Sequence, residues 1–571
     1  MPRGAWIMSI EKSMKEWSEV TRKKYLQERP EKKQEYKTLS NYSVNPLYTP
    51  LDLEGTDYLR DIGFPGQPPF TRGRTPNGYR SFEWPHDFYS GYGSSESANE
   101  RYRDLIRSGA NVITLALDLP SQIGLDSDHP LSQGEVGKAG VALSCLSDME
   151  RVLEGIRLDK TGIGWVANSI GPYALSLTLA MAEKQGIDPA YLRHVRMQND
   201  PLKEFTGRDT YIFPVDVAIE MATDVVEYIC SNFQDKWYYQ WVPQYVCTTQ
   251  MRWGGVSAAQ EIGFGFAHYL TYIESSLKRG LPLASFLPKM ELHASADIDL
   301  FEEVAKFRAA RRLWAKIMKE RYHTDDPNIL GLRISVWTAG NRMLAQQPLN
   351  NLVRISMEVL AAILGGIEHI WAPAYDEALA LPTSESTRIA NQAKFIILHE
   401  CGLQNTTDPM GGSYFLETLT SQIEGEARSW LEKIEGMGGV PAAIEQDLYY
   451  KEELEGLYRY QKEVESGDRL VVGLNKFRVD EEIPIDIFHV DSSDEQRQIK
   501  RVKEVRQKRN GKLVKERLAR LEDIAAEKAN KKQINIVPAM LEAVKADATV
   551  GEIYDVLKKV FGEYKSATWR V

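Results

Sequence analysis

Between residues 79 and 401, short apolar runs alternate with longer stretches of helical periodicity. The runs at 79–82, 112–117, 163–167, 195–198, 242–246, 290–293, 330–336 and 367–371 read as buried strands. They are brief, mostly uncharged, and bounded by polar or turn-forming residues. Apolar positions at helical spacing fill the intervals, at 99–108, 173–185, 215–230, 258–277, 301–321, 350–364 and 386–399. Eight strands alternating with helices place the chain in the α/β class and give the count of a closed (β/α)8 TIM barrel. An open doubly wound sheet is the competitor. That fold carries a GxGxxG turn after its first strand, and none follows 112–117, which favours the barrel.

The flanks read differently. Residues 1–45 are lysine-rich, and Trp17, Val20, Tyr25 and Leu26 form a weak helical stripe, a helix to lie along another surface or subunit. Residues 46–78 hold Pro46, Pro50, Pro65, Pro68, Pro69 and Pro76, which excludes helix and central strand and predicts an extended arm. After the barrel come a Gly-rich turn at 408–413 and further helices. A linker at 481–493 leads to charged helices at 494–530 and a helical hairpin at 537–561. The expected organisation is an N-terminal helix and extended arm (1–78), a substrate-binding barrel (79–402), a helical linker region (403–480) and a charged helical C-terminal extension (481–571).

Composition narrows the function classes. At 571 residues, the chain exceeds one ordinary core, and a barrel of ~250 residues with appendages fits. A net charge of −10 offers no general attraction to nucleic acid or an anionic membrane. The interleaved acids of 494–530 fit a partner-binding surface better than a nucleic-acid one. Cys145, Cys230, Cys247 and Cys401 form no CxxC pair, which argues against a zinc site or a disulfide framework and suits a reducing cytoplasm. Neither a secretory leader nor a long uncharged apolar segment is visible, so the expected location is cytoplasmic.

Residues 111–130 combine an apolar run with a polar loop, as a barrel strand does when it delivers groups at its C-terminal end. Asp126 and Asp128 in that loop are acid–base candidates, although loop capping is the commoner use of such residues. The histidines, including His86, His129, His293, His369 and His399, show no metal-ligand spacing, and no metal site is expected. Nucleophile elbows and phosphate loops are missing too. A barrel with few conventional catalysts at its strand ends points to a cofactor that carries the chemistry.

Several long stretches sharpen this reading. FTRGRTP (70–76), LDLPSQIGLDSDHPLSQGEVGKAGVAL (117–143), QNDPLKEFTGRDTYIFP (198–214), TAGNRMLAQQPLNNLVR (338–354), YDEALALPT (375–383), DPMGGSYF (408–415) and VVGLNKF (471–477) resemble the large subunit of the adenosylcobalamin-dependent acyl-CoA mutases. The resemblance covers about residues 45–480 and implies a TIM barrel with the acyl-CoA along its axis and adenosylcobalamin capping one mouth. The family's cobalamin domain has an Asp-x-His-x-x-Gly motif that this sequence lacks. The expected partners are therefore a separate small cobalamin-binding subunit, which supplies the cobalt ligand, and a second large subunit within a heterotetramer. The charged C-terminal helices are the candidate contact.

The resemblance assigns Leu117, Ala139, Gly207, Arg208, Gly340, Glu377 and Ala380 to the cofactor side. Leu117 replaces a usual Phe, and Gly207 an apolar residue. Glu377 would accept hydrogen bonds from the adenosyl ribose. Tyr89 falls on the substrate tyrosine, Arg208 on the arginine that pairs with a free substrate carboxylate, and Gln250 where a histidine bonds the thioester carbonyl. Thr75, Gly78, Thr114, Arg196, Gln198, Lys289 and Trp337 fall among the substrate and CoA contacts. Gln250 can donate a hydrogen bond but cannot carry a proton at neutral pH. Other expected CoA contacts are changed as well: Phe82 and Asp87 stand for arginines, Lys289 for an arginine, Glu291 for a serine, Trp337 for a glutamine and Ser335 for a histidine. Tyr89 with Arg208 favours a dicarboxylic, succinyl- or malonyl-type acyl group, bulkier than usual, and Ala116 stands where the hydroxyisobutyryl enzyme has Asp. An ordinary methylmalonyl-CoA mutase, a carrier other than standard acyl-CoA, and a paralogue without turnover are the alternatives.

Overall fold

The computed structural model describes residues 3–81, 87–233, 240–479, 487, 488, 491, 493–530 and 532–566. Its strands are β1 (Asp87–Ser90), β2 (Val112–Leu115), β3 (Gly162–Val166), β4 (Val195–Gln198), β5 (Trp241–Val242), β6 (Tyr245–Cys247), β7 (Glu291–Ala296), β8 (Ile334–Thr338) and β9 (His369–Trp371). They pair in sequence order in two sheets, β1 to β5 and β6 to β9, and every pair is parallel. One stretch, residues 241–247, contributes to both sheets. Pro243 in its middle has no N–H to donate, which splits the single strand expected at 242–246. At the other seam, Asp87 of β1 lies 3.4 Å from His369 of β9. Sequential parallel order with helical crossovers is the arrangement of a (β/α)8 barrel.

The first strand is not at 79–82. Residues Gly78–Arg80 form a 3-10 turn, and Phe82 lies outside the described residues, as do His86 and most of the expected linker. The polarity of β1 explains the miss: Asp87, Tyr89 and Ser90 leave no apolar run to read. The arm is also less uniformly extended than its prolines imply, with single turns at Pro50–Leu53 and Tyr58–Ile62.

Alternation along the strands separates two environments. Ile113, Leu115, Ile163, Trp165, Val195 and Met197 face one apolar shell, with helices Gly171–Lys184 and Val215–Asn232. Val246, Leu292, Ala294, Ile334, Val336 and Ile370 face another, with Ala258–Lys278, Leu300–Tyr322 and Tyr414–Gly436. A capping box between Ser257 and Gln260 starts the helix at Ala258. The alternate positions include Thr114, Arg196, Gln198, Tyr245, Glu291, His293, Ser335, Trp337, His369 and Trp371, so this face is far more polar and aromatic than the branched apolar filling usual in such barrels.

The C-terminal extension is part of the core. Helices Gly511–Ala529, Val537–Lys545 and Val550–Phe561 bury Leu521, Met540, Val544, Ile553 and Leu557 in the first apolar shell. Arg506 donates to Asp126 and Asp128 at 2.6 Å each. Asp126 also accepts from the Thr549 hydroxyl at 2.6 Å and the Gly551 N–H at 2.9 Å. These acids fasten the extension to the loop after β2, so their use is structural. Asp126→Ala is expected to cost about 3 kcal/mol, because three donors lose a buried acceptor. An unchanged urea midpoint would contradict this clamp.

Candidate active site at the barrel mouth

The lumen carries a connected charge network. Arg196 of β4 donates to Glu291 of β7 and lies 3.6 Å from Asp87. Arg333 is 3.7 Å from the other Glu291 oxygen. Thr114 of β2 donates to Asp87 at 2.9 Å. The Arg196 guanidinium also lies over the rings of Tyr245 and Trp371, at 4.9 and 5.0 Å. Gly164 makes room for Thr114, since a Cβ there would fall 2.1 Å from its hydroxyl. Burial alone would raise the Asp87 and Glu291 carboxyls. For Asp87, His369 and then Arg196 outweigh it and hold the group below its usual range. For Glu291, Arg196 and Arg333 do so, down to about 2. Burial and Arg196 lower His369, which keeps that imidazole neutral at pH 7.

Depressed carboxyls set a sign for acid stability. Each stabilises the fold above its unfolded value, and the contribution is lost as pH falls through the folded one. For Glu291 the window runs from its ordinary 4.5 down to about 2. Denaturation midpoints are expected to fall across that window, and less steeply in Glu291→Gln. Equal slopes for both proteins would contradict the assignment.

At the C-terminal ends of the strands a cavity of about 130 Å³ opens, lined by Tyr89, Ala116, Ala139, Trp337, Trp371 and Glu377 among others. The rings of Tyr89 and Trp337 meet edge to face at 5.0 Å. Burial raises the Tyr89 phenol, and nearby Arg208 opposes the rise. Glu377 sits accessible at the rim. The atoms crowded around it and the neighbouring Asp376 still push its carboxyl up to about 7. Gly340 lies beside it, with a Cβ there falling at an ordinary contact distance of 3.6 Å from Glu377 Oε1. Ala380 follows in the same turn and bonds back to the Asp376 carbonyl at 3.1 Å.

Beside the cavity, Arg208 ends helix Pro201–Gly207 and donates to Gln122 at 2.5 Å. Gln122 in turn donates to the Leu117 carbonyl at 2.6 Å, linking Arg208 to the end of β2. Gly207 backs Gln250, whose Cβ lies 3.1 Å from where a Gly207 Cβ would stand. Gln250 accepts from the Cys247 thiol at 3.3 Å through its amide oxygen. Gln198 accepts from Lys203 at 3.3 Å.

Other expected contacts lie elsewhere. Thr75 and Gly78 line a separate pocket with Arg72, Arg74 and Glu368, before β9 and so at the N-terminal end of the barrel. Lys289 is buried just before β7, where its charge acts on Cys230. Arg196 and Thr114 are engaged in the network that fills the lumen between the two ends. Reading the sequence missed Lys394, which lines the mouth cavity. Its signal was a lone lysine in the stripe Ser386, Ala390, Lys394, Ile397 on the buried face of its helix.

The mouth is a cavity that a ligand could enter. Small residues floor it (Gly91, Ala116, Ala139, Ala374), and a Gly91 Cβ would press on the Ala116 carbonyl at 2.7 Å. Glu377 offers an acceptor for sugar hydroxyls. Among the described residues, no cluster of His, Cys, Asp and Glu could hold a metal ion, and no helix is long and apolar enough to cross a membrane.

Known proteins share this chain's pattern almost end to end. The methylmalonyl-CoA mutase family profile matches residues 37–563. The chain is 35% identical over 557 residues to the 2-hydroxyisobutanoyl-CoA mutase large subunit of Aquincola tertiaricarbonis, covering 97% of each. It is 34% identical over 559 residues to methylmalonyl-CoA mutase of Rhizobium meliloti, covering 97% of this chain and 76% of that one. Against mitochondrial methylmalonyl-CoA mutase of Homo sapiens the figures are 33% over 556 residues, 96% and 72%. With these relatives named as acyl-CoA mutases, which are isomerases, the chain belongs to the methylmalonyl-CoA mutase family.

Proposed function

We propose that this chain is the large subunit of an adenosylcobalamin-dependent carbon-skeleton mutase acting on a carboxylate-bearing acyl-CoA of the succinyl or malonyl type. The observation that carries the reading is the mouth itself, where Tyr89, Ala139, Trp337 and Glu377 share one cavity beside Arg208. Radical chemistry would come from homolysis of the cobalt–carbon bond in the bound cofactor.

The chain's own residues bind, orient and exclude water. Ala139 floors the mouth, Gly207 and Gly340 leave room beside Gln250 and Glu377, and Glu377 would accept hydrogen bonds from the ribose, whereas Leu117 is buried in the first apolar shell and Ala380 closes the turn after Asp376. Tyr89 packs on the acyl group. Arg208, with one N–H committed to Gln122, presents the rest of its fork to a carboxylate. The amide NH2 of Gln250 donates to the thioester carbonyl, while its oxygen is held by Cys247.

The assembly we infer contains a separate cobalamin-binding small subunit and a second copy of this chain. One relative's name as a large subunit supports it. The C-terminal helices turn their apolar faces into the core, so the contact is moved from them to exposed apolar positions elsewhere, among them Met8, Val20 and Tyr25 of the N-terminal helix and Leu457, Tyr458 and Phe477. The test is cofactor binding by the chain alone and with the small subunit. Stoichiometric binding and turnover by the chain alone would overturn the two-chain assembly.

A second reading has its own support. The Arg196 network lies between the Thr75 pocket and the mouth, so a CoA tail passing along the axis must part it. A paralogue that keeps the mouth but has lost turnover would tolerate such a closed axis.

A further inference from the structure

Arg101 projects from helix Ser95–Arg107 and is only 4% exposed. Its guanidinium bridges two walls of the mouth cavity. Nε donates to the Ser90 hydroxyl at 3.3 Å, and Nη1 and Nη2 donate to the hydroxyls of Ser384 and Thr387 at 2.8 and 2.7 Å. Ser90 and Thr387 both line the cavity, one at the end of β1 and the other in the first turn of helix Ser384–His399. All three acceptors are neutral. Burial weakens the hold of this guanidinium on its proton, and Tyr92, Asp104 and Asp376 oppose that only from beyond ion-pair distance.

A buried cation held by neutral hydroxyls at the positive end of a helix does little for stability. Its placement has a use in the site. Ser90 is gripped twice by consecutive residues of one helix: Arg101 holds its hydroxyl, and the Tyr102 hydroxyl donates to its carbonyl at 2.7 Å. Gly91 is required beside this grip, because a Cβ there would press on the Tyr102 hydroxyl at 2.7 Å. Ser90 directly follows Tyr89, whose ring meets that of Trp337 edge to face at 5.0 Å. We propose that Arg101 is a positioning residue whose fork ties the end of β1 to the start of helix Ser384–His399 and so sets where the Tyr89 ring stands in the mouth cavity. It lies behind the cavity lining and acts through Ser90 and Thr387. The proposal rests on the mutase reading for its kinetic consequence, but the placement of Tyr89 can be followed without it.

The test compares the wild type, R101M, R101K, Y89A and the R101M/Y89A double variant, each assembled with its small subunit and adenosylcobalamin, on succinyl-CoA and an alkyl-substituted succinyl-CoA. Circular dichroism verifies folding, and R101K takes the place of R101M in the cycle if R101M does not fold. R101M is expected to lower kcat about tenfold or more and to leave KM within about twofold, because a misplaced group at the reacting centre costs rate more than ground-state binding. R101K keeps the charge without the planar fork and should fall between. The double variant should be no slower than Y89A alone, since both changes remove the same effect. Losses that multiply in the double variant, or an unchanged kcat in R101M, overturn the proposal and leave the mutase reading standing. If the wild type turns over neither thioester, the mutase reading fails instead, and fluorine NMR of the chain labelled with 5-fluorotryptophan decides the placement. The Trp337 resonance, assigned by its loss in W337F, should shift in R101M because the Tyr89 ring leaves its edge. A Trp337 resonance that stays in place overturns the proposal.

Discussion

Replacing Arg196 with methionine is expected to destabilise the chain by about 3–5 kcal/mol, the cost of leaving buried carboxylates without their cation. Asp87, Arg196 and Glu291 are each at most 3% exposed, so bulk solvent screens them little. Both carboxyls owe their lowered protonation to this guanidinium and to neighbours already committed. The stacking of Arg196 on Tyr245 and Trp371 is lost as well. The compensating variant separates charge from shape: Arg196→Met with Asp87→Asn and Glu291→Gln should recover most of the loss, since neutral amides leave no unpaired charge. Urea unfolding measures both. A single variant as stable as the wild type would mean that the network does not hold the lumen together.

Arg208→Met is expected to lower kcat/KM of the assembled enzyme by about a hundredfold or more for a carboxylate-bearing acyl-CoA, in line with 2–5 kcal/mol for truncating one side of a buried charge pair. Its structural role is a single hydrogen bond to Gln122, so stability should fall by about 1 kcal/mol. The effect should sit in catalysis with that substrate. Isobutyryl-CoA, with no second carboxylate, should be unaffected. Equal losses on both substrates would make Arg208 a positioning residue for the helix end and not a carboxylate ligand.

Much of the fold was legible because apolar shells leave a periodic trace. Strand Val195–Gln198 and helix Asn350–Leu364 fall where the pattern places them, since their buried faces are continuous. Strand β1 escaped because its lumen face is Asp87 and Tyr89, and the break at Pro243 escaped because both halves of the run remain apolar. The mouth was legible through motifs: Tyr89, Ala139, Trp337 and Glu377 come from distant segments and meet in one cavity. The charge network was not. Asp87, Arg196, Glu291, Arg333 and His369 belong to five different strands or strand entries, and only parallel register brings them together. Read singly, Asp87 and Glu291 look like losses of CoA affinity. Read together, they are partners of Arg196. Lys394 was hidden for the opposite reason, because a long side chain on a helix is ordinarily taken as snorkelling to solvent.

The most direct test of the account is electron paramagnetic resonance of this chain assembled with its cobalamin-binding small subunit and adenosylcobalamin, across succinyl-CoA, alkyl-substituted succinyl-CoA and isobutyryl-CoA. A cobalt(II)–radical signal that appears only with a carboxylate-bearing thioester, and is lost in Arg208→Met, is the predicted result. A signal with no thioester present, or none with any of the panel, would contradict it.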